Sequence, residues 1–449
     1  MKKLLALLLA LAMCLSLLAG CAQTAEETPA EGDTAETPAE EGAEEAPAEE
    51  ESSSEESSGE VITLRMQNIW CGADSKTEGW TAIVNGFNEE YAGKYEVILE
   101  DQADYDAYVE KMRTLISSGD TPDLFTFKAD VRNTYASTGN LMDLTGAVYG
   151  TDVEGRYDAS VLEDAKYEDG GLYALPYETA IIPLMYNTKL FEAAGAAIPT
   201  SYDELYEAGD LLRESGVYPI AQSTGSAAWF SMLYYSYCLA SVMGADIYDY
   251  AYDSPEWIEA TELYTTLTAH SQDDTVGSDT SVTNGHFFNE RAAIYCNGTW
   301  IVGRIESEGV EGLADSIEVG GTLSYNGENG GGYMSIVQAY IGAAATDDPA
   351  RQEAVKAFIE YVTRPEEVLP MCQSSGSLFA VNIDTTQLEP GLQTDIMEAA
   401  SGATFLFDHI QDMMPSTVWS AYQTNVDALL LGEMSAEDFC AALQAASES

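Results

Sequence analysis

Three histidines, His270, His286 and His409, are all that a chain of 449 residues offers as side chains able to change charge near neutral pH. None stands in a His-Glu-x-x-His pair. A nucleophile elbow, a Walker loop and a Gly-x-Gly-x-x-Gly turn are all missing as well. Seven cysteines occur at Cys14, Cys21, Cys71, Cys238, Cys296, Cys372 and Cys440, with no Cys-x-x-Cys and no cysteine–histidine spacing suited to zinc. The five from Cys71 onward are scattered and odd in number, which suits buried apolar thiols better than a disulfide framework. Carboxylates are the abundant reactive groups. A pair of them could hydrolyse a glycosidic bond, but such pairs are brought together by folding rather than by local spacing. With so many acids, most must be solvated surface charge.

The acids also define classes that the chain does not belong to. There are 76 Asp and Glu against 18 Lys and Arg, a formal charge of −58. A nucleic-acid binder needs a basic face to displace counterions, and none is encoded. Adsorption to anionic lipid through basic residues is excluded on the same ground. At 46% hydrophobic and 10% aromatic residues the chain still has enough apolar surface for a core. The charge divides by region. Residues 22–60 contain fifteen acidic and no basic side chains, while 61–449 contain 61 acidic and 16 basic ones.

The first twenty residues read as an address. Lys2 and Lys3 precede an apolar run from Leu4 to Leu18, too short for a stable membrane span. Leu18-Ala19-Gly20-Cys21 then resembles the bacterial lipobox, in which the cysteine is acylated and becomes the new N-terminus. Residues 1–20 are thus expected to be a lipoprotein signal peptide and Cys21 the lipidation site. Glu27-Thr28-Pro29-Ala30-Glu31 recurs as Glu36-Thr37-Pro38-Ala39-Glu40 and loosely at Glu45–Glu49, followed by a serine cluster. Without apolar periodicity nothing offsets the ordering entropy, so 21–60 is expected to be a lipidated, acidic, disordered tether. An acidic calcium-binding or partner-binding tail is the alternative.

From residue 61 the pattern changes. Val61–Met66 reads as a strand, and Trp80, Ile83, Val84, Phe87 and Tyr91 recur at helical spacing until Gly93. Tyr95–Leu99 reads as a second strand. Tyr105, Tyr108, Met112 and Leu115 mark a second helix closed by Gly119, and Leu124–Phe127 a third strand. This β-α-β-α-β order predicts a largely parallel sheet covered by helices. Thr200-x-x-Asp203 predicts a capping box opening a helix through Leu205, Ala208 and Leu212. Phe358, Ile359 and Val362 predict another, and the last helices are expected near Trp419–Leu431 and Ala436–Ala446.

Several stretches, kept in order across nearly all of 61–449, resemble the family 1 extracellular solute-binding proteins of ABC importers, the maltose-binding-protein-like group. They include Ser118-Gly119-Asp120-Thr121-Pro122-Asp123-Leu124 and Gly170-Gly171-Leu172-Tyr173-Ala174-Leu175-Pro176, then Tyr186-Asn187 and Pro199-Thr200-Ser201-Tyr202-Asp203-Glu204-Leu205. Phe288-Asn289-Glu290-Arg291-Ala292-Ala293-Ile294, Asn297-Gly298-Thr299-Trp300 and Leu431-Gly432-Glu433-Met434-Ser435-Ala436-Glu437 complete the set. The resemblance implies an α/β, periplasmic-binding-protein-like II fold, with two α/β lobes joined by a hinge and a ligand cleft between them. Lobe 1 would take about 61–178 and 337–378, and lobe 2 about 179–336 and 379–449. The hinge would lie near Glu178–Pro183, Ile336–Tyr340 and Phe379–Asn382.

The resemblance also implies a set of ligand contacts. A sugar presents an apolar C–H face to aromatic rings and a hydroxyl edge to carboxylates and amides. Trp300 and Trp419 fall where the family places stacking aromatics. Phe127 and Asp130 fall on the loop after the third strand, with Arg132 near the family's arginine. Trp229 and Trp70 fall on further cleft loops, and Glu178 in the first crossover. Trp80 and Trp257 are assigned to packing, and His286 to a structural role. The expected protein is a non-enzymatic, lipid-anchored, monomeric receptor on the extracytoplasmic face of a bacterial membrane, of Gram-positive type. It would capture a carbohydrate for ABC permease subunits on other chains, without cofactor, metal or nucleic acid. A polyamine ligand on the same fold, or a surface glycosidase, are the alternatives.

Overall fold

A computed structural model describes residues 61–449, apart from Ala73, Asp101, Ala103, Asp104, Ser226 and Ala227 and the side chains of Tyr105, Asp106 and Asp130. The signal region, Cys21 and the acidic segment lie outside the described residues.

The first strand, β1, covers Ile62–Gln67. The helix Thr77–Glu90 follows, and buries Trp80, Ile83, Val84 and Phe87 along one stripe. These positions are three or four residues apart, so a single face of the helix meets the sheet. Gly93, at φ 79°, turns the chain into β2, Tyr95–Glu100. The helix Tyr105–Ser118 ends at Gly119, φ 76°, before β3, Leu124–Lys128. A left-handed residue costs a Cβ-bearing side chain energy that glycine avoids. Both glycines therefore stop their helices where the periodicity predicts.

β1 pairs in parallel with β2 and with β3, as that order of elements requires. The whole sheet is mixed, however. It has seven strands in the order β10-β4-β9-β3-β1-β2, with β11 (Leu406–Phe407) beside β9. β9, Tyr333–Ala343, runs antiparallel to both β3 and β4, which spans Leu175–Ile182. β10 is the short Leu378–Phe379, antiparallel to β4. A second, four-stranded sheet has the order β6-β7-β5-β8: Tyr218–Ala221, Ala292–Cys296, Leu184–Asn187 and Ile317–Gly320.

Two separate hydrophobic cores form around these sheets. One gathers side chains from Leu64 to Tyr177 and from Ala339 to Val381. The other gathers side chains from Ala180 to Ile336 and from Leu392 to Leu443. β4 and β9 are members of both. Leu175 and Tyr177 pack into the first core, while Ala180 and Ile182 of the same strand pack into the second. β9 likewise gives Ala339 and Ile341 to the first and Met334 and Ile336 to the second. The β4–β9 register shifts between Pro176 and Thr179, a bulge placed where the chain passes from one core to the other.

The helix Tyr202–Glu214 opens one residue later than the predicted cap. Ser201 is the N-cap, and its hydroxyl accepts from the Glu204 N–H. Glu204 reaches back to the Thr200 N–H and hydroxyl, both at 2.8 Å. Serine takes the cap because its backbone is extended while Tyr202 is already helical. The helices Pro349–Val362, Ser416–Leu430 and Ala436–Ser447 match the remaining predicted segments. Cys238, Cys296, Cys372 and Cys440 are buried and unbridged, and Cys71 is half-buried. Among the described residues no helix is long and apolar enough to cross a membrane, and no group of three His, Cys, Asp or Glu is placed to hold a metal ion.

Candidate ligand-binding site

Beyond the end of β1, Asn68 organises the turn. Its Oδ1 accepts from the Trp70 N–H at 3.1 Å and from the Thr126 hydroxyl at 2.9 Å. That hydroxyl oxygen in turn accepts from the Ile69 N–H. The turn aims Trp70 inward. Its indole N–H donates to Glu178 Oε2 at 2.8 Å, and its ring stacks on Trp80 at 5.2 Å. Glu178 is wholly buried and Lys76 is only 2% exposed. Lys76 Nζ lies 3.4 Å from Glu178 Oε1, 3.2 Å from Asp74 and 3.4 Å from the Ser377 hydroxyl.

Burial alone would depress the Lys76 ammonium, but Glu178 and Asp74 together outweigh it and hold it above its usual value. Lys76 therefore stays charged, and its charge compensates a carboxylate set at the β4 bulge. Trp70 and Glu178, two of the sequence-predicted site residues, are thus brought together as one interior pair. Lys76, which holds them, carries no local sequence signal, because its partner is about a hundred residues away.

Phe127 is also interior. It stacks on Tyr340 at 6.0 Å and meets Tyr135 edge-on at 5.4 Å. It fits because Gly342 has no side chain: a Cβ there would lie 2.7 Å from the Phe127 ring. Arg132 lies over Tyr167 at 4.7 Å and Tyr340 at 5.2 Å, and donates to the Ala165 carbonyl at 2.6 Å. Its guanidinium is a packing element of the first core. Asp130 is the second residue of the helix Ala129–Ser137, but its side chain lies outside the described residues.

The other three predicted tryptophans all pack, half-buried, against the second core. Trp229 opens the helix Trp229–Met243, just after Ala228 at φ 61°, and meets Phe230 edge-on at 5.3 Å. Trp300 follows Asn297-Gly298-Thr299, and its ring folds back over Gly298, where a Cβ would lie 2.2 Å away. Trp419 stacks on Tyr422 at 5.4 Å, nearly parallel to it, and Tyr422 stacks on Tyr235. Trp419 thus has one face covered by Tyr422 and Trp300 lies over Gly298, while Trp229 meets a core ring edge-on, and all three keep some exposure. By contrast Trp80 and Trp257 are fully buried, as their spacing predicts. His286 meets Tyr218 edge-on and pairs with Asp274 at 3.1 Å.

The cores also meet beyond the strands. The helix Val302–Glu308 meets the end of the helix Pro365–Ser375, where a Cβ on Gly303 would lie 2.9 Å from the Ser375 carbonyl. On the same helix Arg304 is held by Glu308 at 2.7 and 2.8 Å. Glu308 raises the guanidinium above its usual value, and Asp74 of the first core adds to that field. A cavity of about 340 Å³ also lies along the crossing strands, lined by Pro176, Thr179, Ile336, Tyr340, Asp164 and Asp408 among others. None of the six predicted contact residues whose side chains are described lines it.

Two hydrophobic cores sharing two crossing strands, with aromatic rings part-exposed on one of them, define a two-lobed binding protein of the α/β type. The comparisons agree. The family model "Bacterial extracellular solute-binding protein" matches residues 73–368, and the chain belongs to that family. The maltotriose-binding protein of Pyrococcus abyssi is 23% identical over 345 residues, 75% of this chain and 71% of that one. The diacetylchitobiose-binding protein of Streptomyces coelicolor is 26% identical over 160 residues, 35% of each chain. A solved chitin oligosaccharide binding protein superposes with a TM-score of 0.76 at 19% identity, covering 87% of this chain and 99% of that one.

Proposed function

We propose that the protein is the lipid-anchored receptor of an ABC importer, which captures an oligosaccharide on the extracytoplasmic face of a bacterial membrane and hands it to permease subunits on other chains. The curated relatives take maltotriose and diacetylchitobiose, and the superposed structure a chitin oligosaccharide. The observation that carries the reading is the set of half-buried rings Trp229, Trp300 and Trp419, each held against the second core. Such rings suit the C–H face of a pyranose. Their supports, Phe230 and Tyr422, are rigid core side chains, so the platforms lose little entropy when ligand docks.

In this reading the two cores are the lobes, about 61–178 with 337–378 and about 179–336 with 379–449, save that Ala380 and Val381 pack into the first core, and they close about β4, β9 and the segment at β10. Ligand favours the closed form by touching both lobes. Asp130 and the buried Trp70–Glu178 pair serve the first lobe, Asp130 by contact and the pair by shaping the floor. Cys21 carries the acyl chains, and the acidic segment spaces the folded body from the membrane. The protein acts as a monomer, without cofactor and without turnover. Calorimetric titration with maltotriose, diacetylchitobiose and a longer chitin oligosaccharide tests this. Saturable binding with the saccharide recovered unchanged supports it, whereas hydrolysis of a bound saccharide would replace it with a glycosidase.

A further inference from the structure

We propose that Gln393 is a positioning residue for ligand capture: it links the two cores at the crossing beside β10 and is the pivot on which the lobes close. The inference rests on the receptor reading and goes beyond it. The helix Pro365–Ser375 belongs to the first core, to which it gives Val368 and Met371. The helix Leu392–Ser401 belongs to the second, to which it gives Leu392 and Ile396. Between them in the chain lies β10, paired with β4 at Glu178 and Thr179.

Gln393 is only 8% exposed. Its Nε2 donates to the Cys372 carbonyl and to Cys372 Sγ, both at 3.3 Å, and to the Ser377 carbonyl at 3.1 Å. All three acceptors lie in the last turn of the helix Pro365–Ser375 or just beyond it. Cys372 and Ser377 are wholly buried, and Cys372 belongs to neither core. The same helix end meets Val302–Glu308 of the second core. A Cβ on Gly376, at φ 71°, would lie 2.7 Å from Val302 Cβ. The contacts continue inward. The Ser377 hydroxyl accepts from Lys76 at 3.4 Å, and Lys76 faces Glu178, which holds Trp70. One amide of the second core thus reaches, through Ser377, the buried unit at the β4 bulge.

A helix end leaves carbonyls in need of donors, but these two already have them. The Gly376 N–H donates to the Cys372 carbonyl at 3.1 Å, and the Cys372 thiol donates to the Ser377 carbonyl at 3.1 Å. The Gln393 amide is therefore not needed to satisfy the helix end. What it adds is a bond between the cores. It also brings two N–H groups to three acceptors. One acceptor is surplus, so the amide can exchange partners as the lobes turn without leaving a buried N–H unpaired. A bond to a single acceptor would break over the same rotation. Hinge closure concentrates its change at a few residues, and a tether there narrows the range of interlobe angles that ligand must select from.

The test compares Gln393→Leu and Gln393→Glu with wild type, using maltotriose and diacetylchitobiose as probes. Gln393→Leu should lower the unliganded melting temperature by no more than about 4 °C, because both carbonyls keep a donor. It should weaken the better-bound saccharide about tenfold, the worth of one buried hydrogen bond. Amide exchange at residues 377–380 should quicken about tenfold, while exchange in β1 and β6 stays unchanged. Gln393→Glu sets a carboxylate against two carbonyl oxygens, so it should weaken binding further. Wild-type affinity in both variants, whatever their melting temperatures, assigns Gln393 to packing alone. That result overturns the pivot and leaves the receptor reading standing. Wild-type exchange at 377–380 in Gln393→Leu also overturns the pivot, and that measurement needs no ligand. Failure of the wild type to bind either saccharide contradicts the receptor reading instead, and quickened exchange in Gln393→Leu then still supports the link between the cores.

Discussion

The indole N–H of Trp70 donates to Glu178 at 2.8 Å, tying the loop after β1 to the bulge at which β4 leaves the first core. Lys76, seated against Glu178, Asp74 and Ser377, makes this one buried unit. A buried ion pair contributes little net stability, but removing one partner leaves an uncompensated charge. Lys76→Met should therefore lower unfolding free energy by about 3–5 kcal/mol. The double variant Lys76→Met, Glu178→Gln should recover much of that. Urea unfolding of both variants checks the pair. Equal losses in the two would show that Lys76 matters through packing alone.

Trp300→Ala and Trp419→Ala should each weaken saccharide binding by about 2 kcal/mol or more, roughly thirtyfold, as central aromatic contacts do. Both rings are only half-buried, so each variant should lose less unliganded stability than a variant at a fully buried tryptophan. Trp257→Ala should behave in the opposite way, costing about 3–5 kcal/mol of stability, because that ring is fully buried. Titration calorimetry and thermal melting of the three variants separate the two roles.

His409 is buried, with Nδ1 3.9 Å from Asp412, and burial depresses its imidazole to about 3. The folded state thus holds it neutral, while the unfolded chain protonates it near 6.5. Stability from this group is fully present above about pH 6.5. It is lost progressively as pH falls toward 3. Melting temperature should fall between pH 6.5 and 5, before most carboxylates titrate. His409→Leu should flatten that part of the profile, and an unchanged profile in the variant would assign the loss to another group.

Gly303 comes so close to the Ser375 carbonyl that a methyl group would sit at 2.9 Å. Gly303→Ala should push the helices Val302–Glu308 and Pro365–Ser375 apart. It should destabilise the protein by about 1–3 kcal/mol, the usual cost of overpacking. If this contact is part of the closed form, ligand affinity should fall as well. Small-angle scattering of the liganded variant should then report a larger radius than that of the liganded wild type.

Much of the fold is legible in the sequence where neighbours in space are neighbours in the chain. β1 to β3 and their two helices follow from apolar periodicity and from Gly93 and Gly119, and Trp80 and Trp257 read correctly as packing. The cap at Ser201 is displaced by one residue because Thr200 and Ser201 both suit it, and only backbone geometry chooses. The antiparallel β9 is the element that a β-α-β-α-β reading misses. Its partners, β3 and β4, lie about 150 to 220 residues earlier, and no local pattern reports them. The site is legible to a smaller extent. Position along the chain points to Trp70, but only folding reveals that its indole faces Glu178.

The central claim is that the protein binds a neutral oligosaccharide on aromatic platforms of its second core. Titration calorimetry with maltotriose and diacetylchitobiose, run on wild type and Trp300→Ala, tests it most directly. The account predicts saturable binding of at least one saccharide by the wild type and a loss of roughly thirtyfold in the variant. Absence of heat with either saccharide, together with saturable binding of spermidine, would contradict it.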